Sequence, residues 1–255
     1  MKGLIAAGGN ATRLEELTRV TNKHLLPVGH WPMVYYPLQL LQRAGVHEVL
    51  IVTGQQHAGQ FIDLLGNGHV ESRSGGELLF DVDLSYKVQV TAGGIAQVVG
   101  MAREFAAGDQ LVVCLGDNIF EYAHADAIGS WSDGAMVFVK DVPDAENFGV
   151  VVYGDDGGVT DIVEKAGVVD MRYESPPSRD AVVGLYCYPP DVFEIIEGLA
   201  PSNRGELEIT DVNRVYAQRG DLAVRRVEGW WHDGGKHWGD LADIGRRIEE
   251  TGANK

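Results

Sequence analysis

The arrangement of the chain is decided near its amino terminus, by the segment Lys2-Gly3-Leu4-Ile5-Ala6-Ala7-Gly8-Gly9-Asn10-Ala11-Thr12-Arg13-Leu14. Its short apolar run, bounded by glycines, predicts a central parallel strand covered on both faces. Gly8 and Gly9 lack a Cβ, so a ligand can lie against the backbone and N–H groups can point at an anion. Arg13 and, ten residues later, Lys23 would supply positive charges for phosphate oxygens. The segment predicts a site for a polyanion.

The glycine spacing excludes two common phosphate-binding motifs. It matches neither the Walker loop, G-x-x-x-x-G-K-[ST], nor the dinucleotide fingerprint G-x-G-x-x-G, which argues against a dinucleotide oxidoreductase. Taken alone, two adjacent glycines also fit an ordinary tight turn between a strand and a helix. The choice between turn and site depends on the rest of the chain.

Composition limits the classes of partner. The 255 residues suffice for one α/β domain, which we expect over 1–255. A net charge of -16, from 21 basic and 37 acidic residues, disfavours binding to nucleic acid or to an anionic membrane. Binding of anionic ligands then requires basic residues concentrated at the pocket, with a divalent metal offsetting the carboxylates there.

Cysteine usage and hydropathy predict a cytoplasmic protein. Cys114 and Cys187 lie in apolar, strand-like runs, and we expect both to be buried free thiols. The sequence shows neither a secretory signal nor an apolar run of roughly 18 residues that would span a membrane.

The order of elements predicts a doubly wound α/β fold whose second half makes the sheet mixed. In the first half we expect a helix from about Pro32 to Ala44, a loop with poorly defined short elements over 67–83 and a helix from the Gly93-Gly94 turn to about Phe105. In the second half, the turn Gly154-Asp155-Asp156-Gly157-Gly158 predicts a hairpin. We expect these further strands and helices: strands 4–7, 46–53, 84–89, 111–115, 135–139, 150–153, 159–163, 182–188 and 222–227, and helices 57–65, 190–199, 208–219 and 238–250.

Polar or glycine signals follow three of these strands, at Gly8-Gly9, at Gln89 with Gly94, and at Asp117. Ligands of open α/β sheets collect at the carboxyl ends of the strands, so these three ends should line one cleft. Gln89 can offer a donor and an acceptor to a nucleobase edge. A glutamine at a strand end is otherwise an ordinary polar loop residue.

Two carboxylates are candidates for holding one Mg²⁺, because hard oxygen ligands suit that ion. Asp117 follows an apolar strand, and Asp233 follows the aromatic pair Trp230-Trp231 in a segment predicted to be a loop. Each could instead be a cap or turn residue. A transition-metal site at the neighbouring histidines is disfavoured, since no third nitrogen or sulfur ligand has matching spacing.

Lys165 could clamp a sugar phosphate, while Glu164 accepts hydrogen bonds from sugar hydroxyls. Adjacent residues on a strand point to opposite faces. Both side chains can therefore reach one ligand only if the strand ends or kinks there; the alternative is a solvent-exposed ion pair.

Taken together, ten collinear segments resemble the sugar-phosphate nucleotidyltransferases, most closely a short form of the glucose-1-phosphate thymidylyltransferases. These segments are Gly8-Gly9-Asn10-Ala11-Thr12-Arg13-Leu14, Lys23-His24-Leu25-Leu26-Pro27, Tyr86-Lys87-Val88-Gln89, Gly93-Gly94-Ile95-Ala96-Gln97, Leu115-Gly116-Asp117-Asn118-Ile119-Phe120, Asn147-Phe148-Gly149-Val150, Glu164-Lys165, Val183-Gly184-Leu185-Tyr186, Arg204-Gly205-Glu206-Leu207-Glu208-Ile209-Thr210-Asp211 and Trp231-His232-Asp233-Gly234-Gly235.

The resemblance implies a Rossmann-like nucleotidyltransferase fold, with a nucleotide-binding half over about 1–118 and a sugar-phosphate-binding half over about 119–255. It implies Mg²⁺-dependent transfer of a nucleotidyl group from dTTP to α-D-glucose 1-phosphate by a homo-oligomer, a dimer or tetramer. UTP or another nucleotide with a different sugar phosphate is the nearest alternative, and a non-catalytic nucleotide-sugar binding protein is a further one.

Residue by residue, the resemblance implies three sets of contacts and a catalytic group. Nucleotide contacts fall on Gly8, Gly9, Ala11, Thr12, Arg13, Lys23, Gln89, Gly94 and Asp117. Sugar-phosphate contacts fall on Gly149, Glu164, Lys165, Val183 and Arg204, and the metal on Asp117 and Asp233. The implied catalytic residues are Arg13, Lys23, Asp117, Lys165 and Asp233.

The sequence departs from the family pattern in several places. Ala11 replaces a usual glycine, and Ala6 replaces a bulkier leucine beside the expected base pocket, which leaves selectivity for thymine open. Ala166 replaces a proline, and Lys236 replaces a threonine close to the expected metal site. The chain also stops soon after its last predicted helix, where many relatives continue into helices that build a regulatory site, so feedback control by that route is not expected.

Overall fold

The computed structural model describes residues 1–9, 14, 17–72, 75–166, 168–234 and 237–255. The predictions for Ala11, Thr12 and Arg13, and that for Lys236, concern residues outside this described part.

The elements alternate between strands and helices in the first half, and strands dominate the middle. The strands are β1 (Lys2–Ala7), β2 (Pro27–Val28), β3 (Trp31–Pro32), β4 (Glu48–Gly54), β5 (His69–Glu71), β6 (Leu78–Asp81), β7 (Asp83–Gln89), β8 (Leu111–Leu115), β9 (Asn118–Phe120), β10 (Ala135–Asp141), β11 (Gly149–Tyr153), β12 (Val159–Glu164), β13 (Asp180–Tyr188), β14 (Leu222–Arg226) and β15 (Trp231–Asp233). The helices are α1 (Tyr35–Arg43), α2 (Ala58–Leu65), α3 (Ile95–Met101), α4 (Arg103–Ala106), α5 (Ala125–Gly129), α6 (Val192–Glu197), α7 (Ile209–Arg219) and α8 (Trp238–Thr251), with 3-10 turns at Lys23–Leu25, Gln55–His57 and Ala145–Asn147.

The central sheet is mixed, as predicted. Its main path runs β12-β11-β13-β8-β1-β4-β7. Off this path, β10 pairs with β13, and β14 pairs with β10. The pairs β4–β7, β1–β4 and β1–β8 are parallel, and β13 runs antiparallel to β8. The predicted hairpin is the antiparallel pair β11–β12. Of the strands that the described residues contribute to this sheet, only β12 and β13 run against the direction of β1.

Strand β1 lies at the centre of the sheet and is covered on both faces. Leu4 and Ile5 are fully buried, and they belong to two different apolar clusters. Successive side chains of a strand point to opposite faces, so one cluster lies on each side of the sheet. One contains residues of α3, α6 and α7, and the other contains residues of α1 and α2. The near-continuous apolar run of β1 follows from this double coverage.

Two predictions for the first half were wrong in detail. The helix predicted from Pro32 starts at Tyr35, because Pro32 belongs to the short β2–β3 ladder. Pro37 then falls in the first turn of α1, where backbone N–H groups have no intrahelical partner and none is lost. The short elements predicted to be poorly defined within the loop over 67–83 form a defined hairpin, β5–β6.

Two further predictions needed correction. The single helix expected up to about Phe105 is divided at Ala102 into α3 and α4. The segment around Trp231, predicted to be a loop, forms β15 and pairs with β9.

Both cysteines are buried free thiols, as predicted. None of the described helices combines the length and the apolarity that a bilayer span requires.

The β9–β15 ladder is organised by the side chain of Asn118. Its Oδ1 accepts hydrogen bonds from the backbone N–H of Gly184, at 3.0 Å, and from Nε1 of Trp231, at 2.6 Å. Its Nδ2 donates to Oδ1 of Asp117 at 3.0 Å. One buried amide therefore joins Asp117, which follows β8, to β13 and β15, and pairing places Asp233 opposite Asn118.

This arrangement generates a stability prediction. A Cβ on Gly184 would lie 2.6 Å from Cγ of Asn118, so we expect Gly184→Ala to displace that amide and to lower the free energy of unfolding by roughly 1–3 kcal/mol. The measurement is urea-induced unfolding followed by circular dichroism. Gly59→Ala in α2 is the control: nothing lies within 4 Å of its Cβ, and it should be neutral or slightly stabilising. Equal stability of Gly184→Ala and the wild type would contradict the packing argument.

Candidate functional site

The carboxyl ends of β1, β7 and β8 open into one cleft of about 480 Å³, within the range typical of small-ligand sites. Gly8, Gln89 and Asp117 all line it, as the strand order predicts. The second half of the chain supplies the opposite wall. The described lining residues are Ala6, Gly8, Gly9, Lys23, His24, Gln89, Ala92, Gly94, Ile95, Val98, Leu115, Asp117, Glu164, Lys165, Arg204, Glu206, Glu208 and Ile209.

Lys23 is positioned by Asn22, a buried residue that sequence reasoning missed. The Oδ1 of Asn22 accepts the backbone N–H of His24 and thereby caps the 3-10 turn that carries Lys23. The Nδ2 of Asn22 donates to the carbonyl of Ala7, the last residue of β1, at 3.2 Å. The turn is thus tied to the strand end, and Lys23 forms an ion pair with Asp117 across the cleft floor.

The charges of this floor are set by pairing. Burial alone would raise the pKa of Asp117, but the adjacent Lys23 and the hydrogen bond from Asn118 outweigh it and hold the pKa below its usual range. Burial is also the main reason why the pKa of His24 falls to about 3, and the charge of Lys23 adds to that effect. At neutral pH the site therefore holds an ionised carboxylate beside a neutral imidazole.

The two predicted metal ligands are brought together through their backbones. The N–H of Gly234 donates to the carbonyl of Asp117 at 2.8 Å, and Asp233 pairs with Asn118. Asp117 lines the cleft, whereas Asp233 lines a different cavity with Trp231 and His232 and is not among the described residues that line the cleft. Within the described ranges, no group of three or more His, Cys, Asp or Glu side chains is gathered for a metal. Two carboxylates fit Mg²⁺, which is commonly held by one or two of them together with substrate phosphates and water.

The question of Glu164 and Lys165 is resolved by the end of β12. The strand stops at Glu164, and Lys165 has a φ of 43°, the left-handed conformation. This turn breaks the alternation of faces, and both side chains line the cleft. Left-handed backbone costs a non-glycine residue roughly 1–2 kcal/mol, so it is retained against an intrinsic preference.

Glu164 is oriented by Thr210, to which we assigned no role from the sequence. The hydroxyl of Thr210 donates to Oε2 of Glu164 at 2.5 Å, and Oε1 lies 3.9 Å from the Nζ of Lys165. Arg204 lies 3.9 Å from that same Oε1 and is held mainly by Glu208, whose carboxylate accepts its hydrogen bonds at 2.9 Å. The sequence signal was available, because Thr210 and Glu208 belong to the quoted segment 204–211.

Three predicted contact residues occupy distinct positions. Gly149 pairs with Glu164 in the β11–β12 ladder, which puts its backbone beside the carboxylate. The side chain of Val183 is buried in the core, and neither Val183 nor Gly149 is among the described residues that line the cleft. Gly94 lines the cleft with a φ of 92°, and a Cβ there would lie 2.3 Å from the carbonyl oxygen of Leu207. A glycine is required at 94 by the packing of the two halves.

The described part of the cleft is not predominantly basic, unlike the concentration of positive charge expected from the net charge. Its described lining contains three cationic side chains and four carboxylates, namely Lys23, Lys165 and Arg204 against Asp117, Glu164, Glu206 and Glu208. An anionic ligand therefore meets closely spaced charges of both signs.

The state of His24 can be measured directly. Since Asn22 Oδ1 lies 2.6 Å from Nδ1 of His24, we expect a neutral ring with its proton on Nδ1 from pH 5 to 8 in metal-free protein. Its contribution to stability should be complete above about pH 6.5 and be lost as the pH falls towards 3, because the unfolded ring binds a proton first. The measurement is long-range ¹H–¹⁵N NMR of the imidazole, and titration of this ring near pH 6.5 would contradict the assignment.

Comparison with known proteins gives one consistent family. The model of the Nucleotidyl transferase family matches residues 2–251. A glucose-1-phosphate thymidylyltransferase from Neisseria meningitidis is 38% identical over 93% of this chain and 79% of its own length. Another from Xanthomonas campestris pv. campestris is 39% identical over 92% of this chain and 77% of its own.

Solved structures agree. A Bacillus anthracis protein assigned as a glucose-1-phosphate thymidylyltransferase, crystallised in complex with sucrose, superposes with a TM-score of 0.84 at 40% identity, covering 97% of this chain and 96% of that one. A UDP-glucose pyrophosphorylase in complex with UDP-glucose reaches a TM-score of 0.83 at 22% identity, covering 98% of each chain, a likeness of fold alone. On the family match and these relatives, the chain belongs to the nucleotidyl transferase family.

Proposed function

We propose that this enzyme transfers a thymidylyl group from dTTP to α-D-glucose 1-phosphate in a Mg²⁺-dependent reaction that releases pyrophosphate. The observation that carries the proposal is the composition of one cleft. The cleft is lined by Gly8 and Gln89, by the ion pair of Lys23 with Asp117, and by Glu164 and Lys165 at the end of β12. The thymidylyltransferase relatives support the choice of both substrates.

The reaction requires positioning more than acid–base chemistry. A phosphate oxygen of the sugar phosphate attacks the α-phosphorus of dTTP, and the bond from that phosphorus to the pyrophosphate oxygen breaks. The attacking oxygen is already anionic, so no strong base is needed. The protein must hold two anions in line and offset their repulsion.

Lys23 is proposed to serve the triphosphate. Its ammonium group has three donors, so it can keep Asp117 as a partner while donating to a phosphate oxygen. Backbone at Gly8 and Gly9 borders the same space. Ala11, Thr12 and Arg13 are proposed to complete this end of the site, as the resemblance implies.

The sugar phosphate is proposed to bind at the opposite wall. Lys165 and Arg204 would contact its phosphate, while Oε1 of Glu164 accepts a hydrogen bond from a sugar hydroxyl. Thr210 already occupies Oε2, so the carboxylate has one oxygen directed by the protein and one left for the sugar. The backbones of Gly149 and Val183 are proposed to border the sugar ring.

Asp117 and Asp233 would hold the Mg²⁺, which supplies charge neutralisation between the two anionic substrates when bound. The ionised state of Asp117 and the closeness of the two backbones support this pairing. The mixed charges of the cleft also favour a bound cation, because the described basic residues do not outnumber the carboxylates. We further propose that the enzyme acts in the cytoplasm as a homo-oligomer, which the resemblance to the family supports.

Transfer to UTP is the second candidate. Ala6 lines the cleft. Its side chain is smaller than the leucine usual in the family, so the proposed base pocket has more free space than a leucine would leave. A thymine methyl group would then gain little over uracil, since one methyl contact is worth about 1 kcal/mol.

The proposed metal site predicts the behaviour of one variant. We expect Asp117→Asn to lower kcat by roughly 10²–10³-fold, because it removes the anionic ligand that Lys23 and Asn118 hold in place. The assay is pyrophosphate release across a Mg²⁺ titration, with thermal unfolding to verify the fold. Asp155→Asn, in the exposed turn between β11 and β12, is the control and should behave as wild type. Wild-type turnover in Asp117→Asn would rule out the assignment.

The reaction itself is tested by a substrate matrix. Pyrophosphate release should require a nucleotide and a sugar phosphate together, and be highest for dTTP with α-D-glucose 1-phosphate among dTTP, UTP, CTP, ATP and GTP. A second panel varies the sugar phosphate at fixed dTTP. Higher kcat/KM with UTP would establish the second candidate. Nucleotide binding without release for every pair would contradict the proposed activity.

A further inference from the structure

A pair of glutamine amides lies at the end of β7. The Nε2 of Gln89 donates to Oε1 of Gln97 at 2.6 Å. Gln89 is 7% exposed and lines both the cleft and an adjoining cavity that also contains Gly8 and Gly9. Gln97 lies in the first turn of α3 and does not line either of them among the described residues. Among the described residues, Gln97 is linked to the lining of the cleft by its hydrogen bond with Gln89.

Both amides are packed closely against backbone. A Cβ on Gly8 would lie 2.3 Å from Oε1 of Gln89, and a Cβ on Gly93 would lie 2.7 Å from the amide of Gln97. The Gln89 amide is thus held with its nitrogen towards α3 and its oxygen over the end of β1. That end of β1 is the side on which the nucleotide is proposed to bind.

The orientation of the Gln89 amide matters because its two ends have opposite hydrogen-bonding roles. The oxygen accepts and the nitrogen donates, and a rotation by half a turn about the last bond exchanges them. Thymine and uracil carry a donor at N3, whereas cytosine carries an acceptor there. An oxygen directed at the base edge suits the first two and opposes the third.

We propose that Gln97 is a positioning residue for base selection, which holds the oxygen of Gln89 towards the nucleotide and so favours thymine or uracil over cytosine. This inference rests on the proposed function, because it takes Gln89 as the residue that meets the base. It makes no distinction between thymine and uracil, which differ only by a methyl group.

The test compares variants at position 97 that differ in what they offer to Gln89. Gln97→Met keeps the length and bulk of the side chain but has no acceptor. Gln97→Glu can only accept, so it should keep the nitrogen of Gln89 on its side. The dissociation constants of dTTP and dCTP are measured by isothermal titration calorimetry, and kcat/KM is measured for both nucleotides with glucose 1-phosphate.

We expect the wild type and Gln97→Glu to prefer dTTP to dCTP by similar factors. In Gln97→Met that preference should fall by roughly three- to tenfold, the contribution of one hydrogen bond. A merely structural role would weaken both nucleotides equally and leave the ratio unchanged, which would overturn the proposal. Equal binding of dTTP and dCTP by the wild type would overturn it as well.

A donor-only side chain provides a second test if Gln97→Met does not fold. Gln97→Lys should attract the oxygen of Gln89 and turn its nitrogen to the cleft, so that dCTP gains relative to dTTP; an unchanged ratio would refute the proposal. If the enzyme turns over dTTP but the preference for dTTP over dCTP is the same in the wild type and in the variants at position 97, only this inference is overturned and the proposed function stands. Failure of the wild type to bind either nucleotide would overturn both this inference and the proposed function.

Discussion

The partly buried ion pair between Lys23 and Asp117 is the interaction on which the cleft depends. Each charge would be costly to bury alone, so the turn carrying Lys23 and the end of β8 must be held at a fixed separation. The protein does this with neutral amides on both sides. Asn22 links the turn to β1 by hydrogen bonds to the backbones of His24 and Ala7, and Asn118 donates a hydrogen bond to the carboxylate of Asp117. The charges meet the ligand space, and the amides supporting them are buried.

The second half of the chain completes the site by ending strands at defined points. β12 stops at Glu164, and left-handed backbone at Lys165 turns the next side chain to the same cleft. β15 stops at Asp233 after pairing with the strand that follows Asp117. In both cases the candidate residues lie where the hydrogen bonding of a strand ends. At Lys165 this ending also involves strained, left-handed backbone that regular strands avoid.

Opposed charges in close contact explain how a chain with a net charge of -16 can be built for anionic substrates. Each cation in the described cleft lies beside a carboxylate: Lys23 beside Asp117, and Lys165 and Arg204 near Glu164. These partners keep the cations in place before a ligand arrives. A phosphate can then replace or share an existing partner, which costs less reorganisation than gathering free side chains.

The local sequence pattern was sufficient to predict the apolar strands, the mixed sheet and the convergence of Gly8, Gln89 and Asp117 at one edge of the sheet. These features follow from the periodicity of apolar residues and from the order of strands and helices along the chain. It was not sufficient for β15 or for the contact of Asn118 with Gly184. Pairing between residues more than sixty positions apart depends on the packed core that brings them together. The end of β12 and the Gln89–Gln97 pair were not predicted either; the two glutamines are only eight positions apart, but they lie in different elements, β7 and α3, whose packing sets their contact. The sequence by itself indicated which chemical groups the candidate site would contain, and only the tertiary structure decided how those groups are placed around the cleft, since that choice is made by contacts between separate elements of the fold.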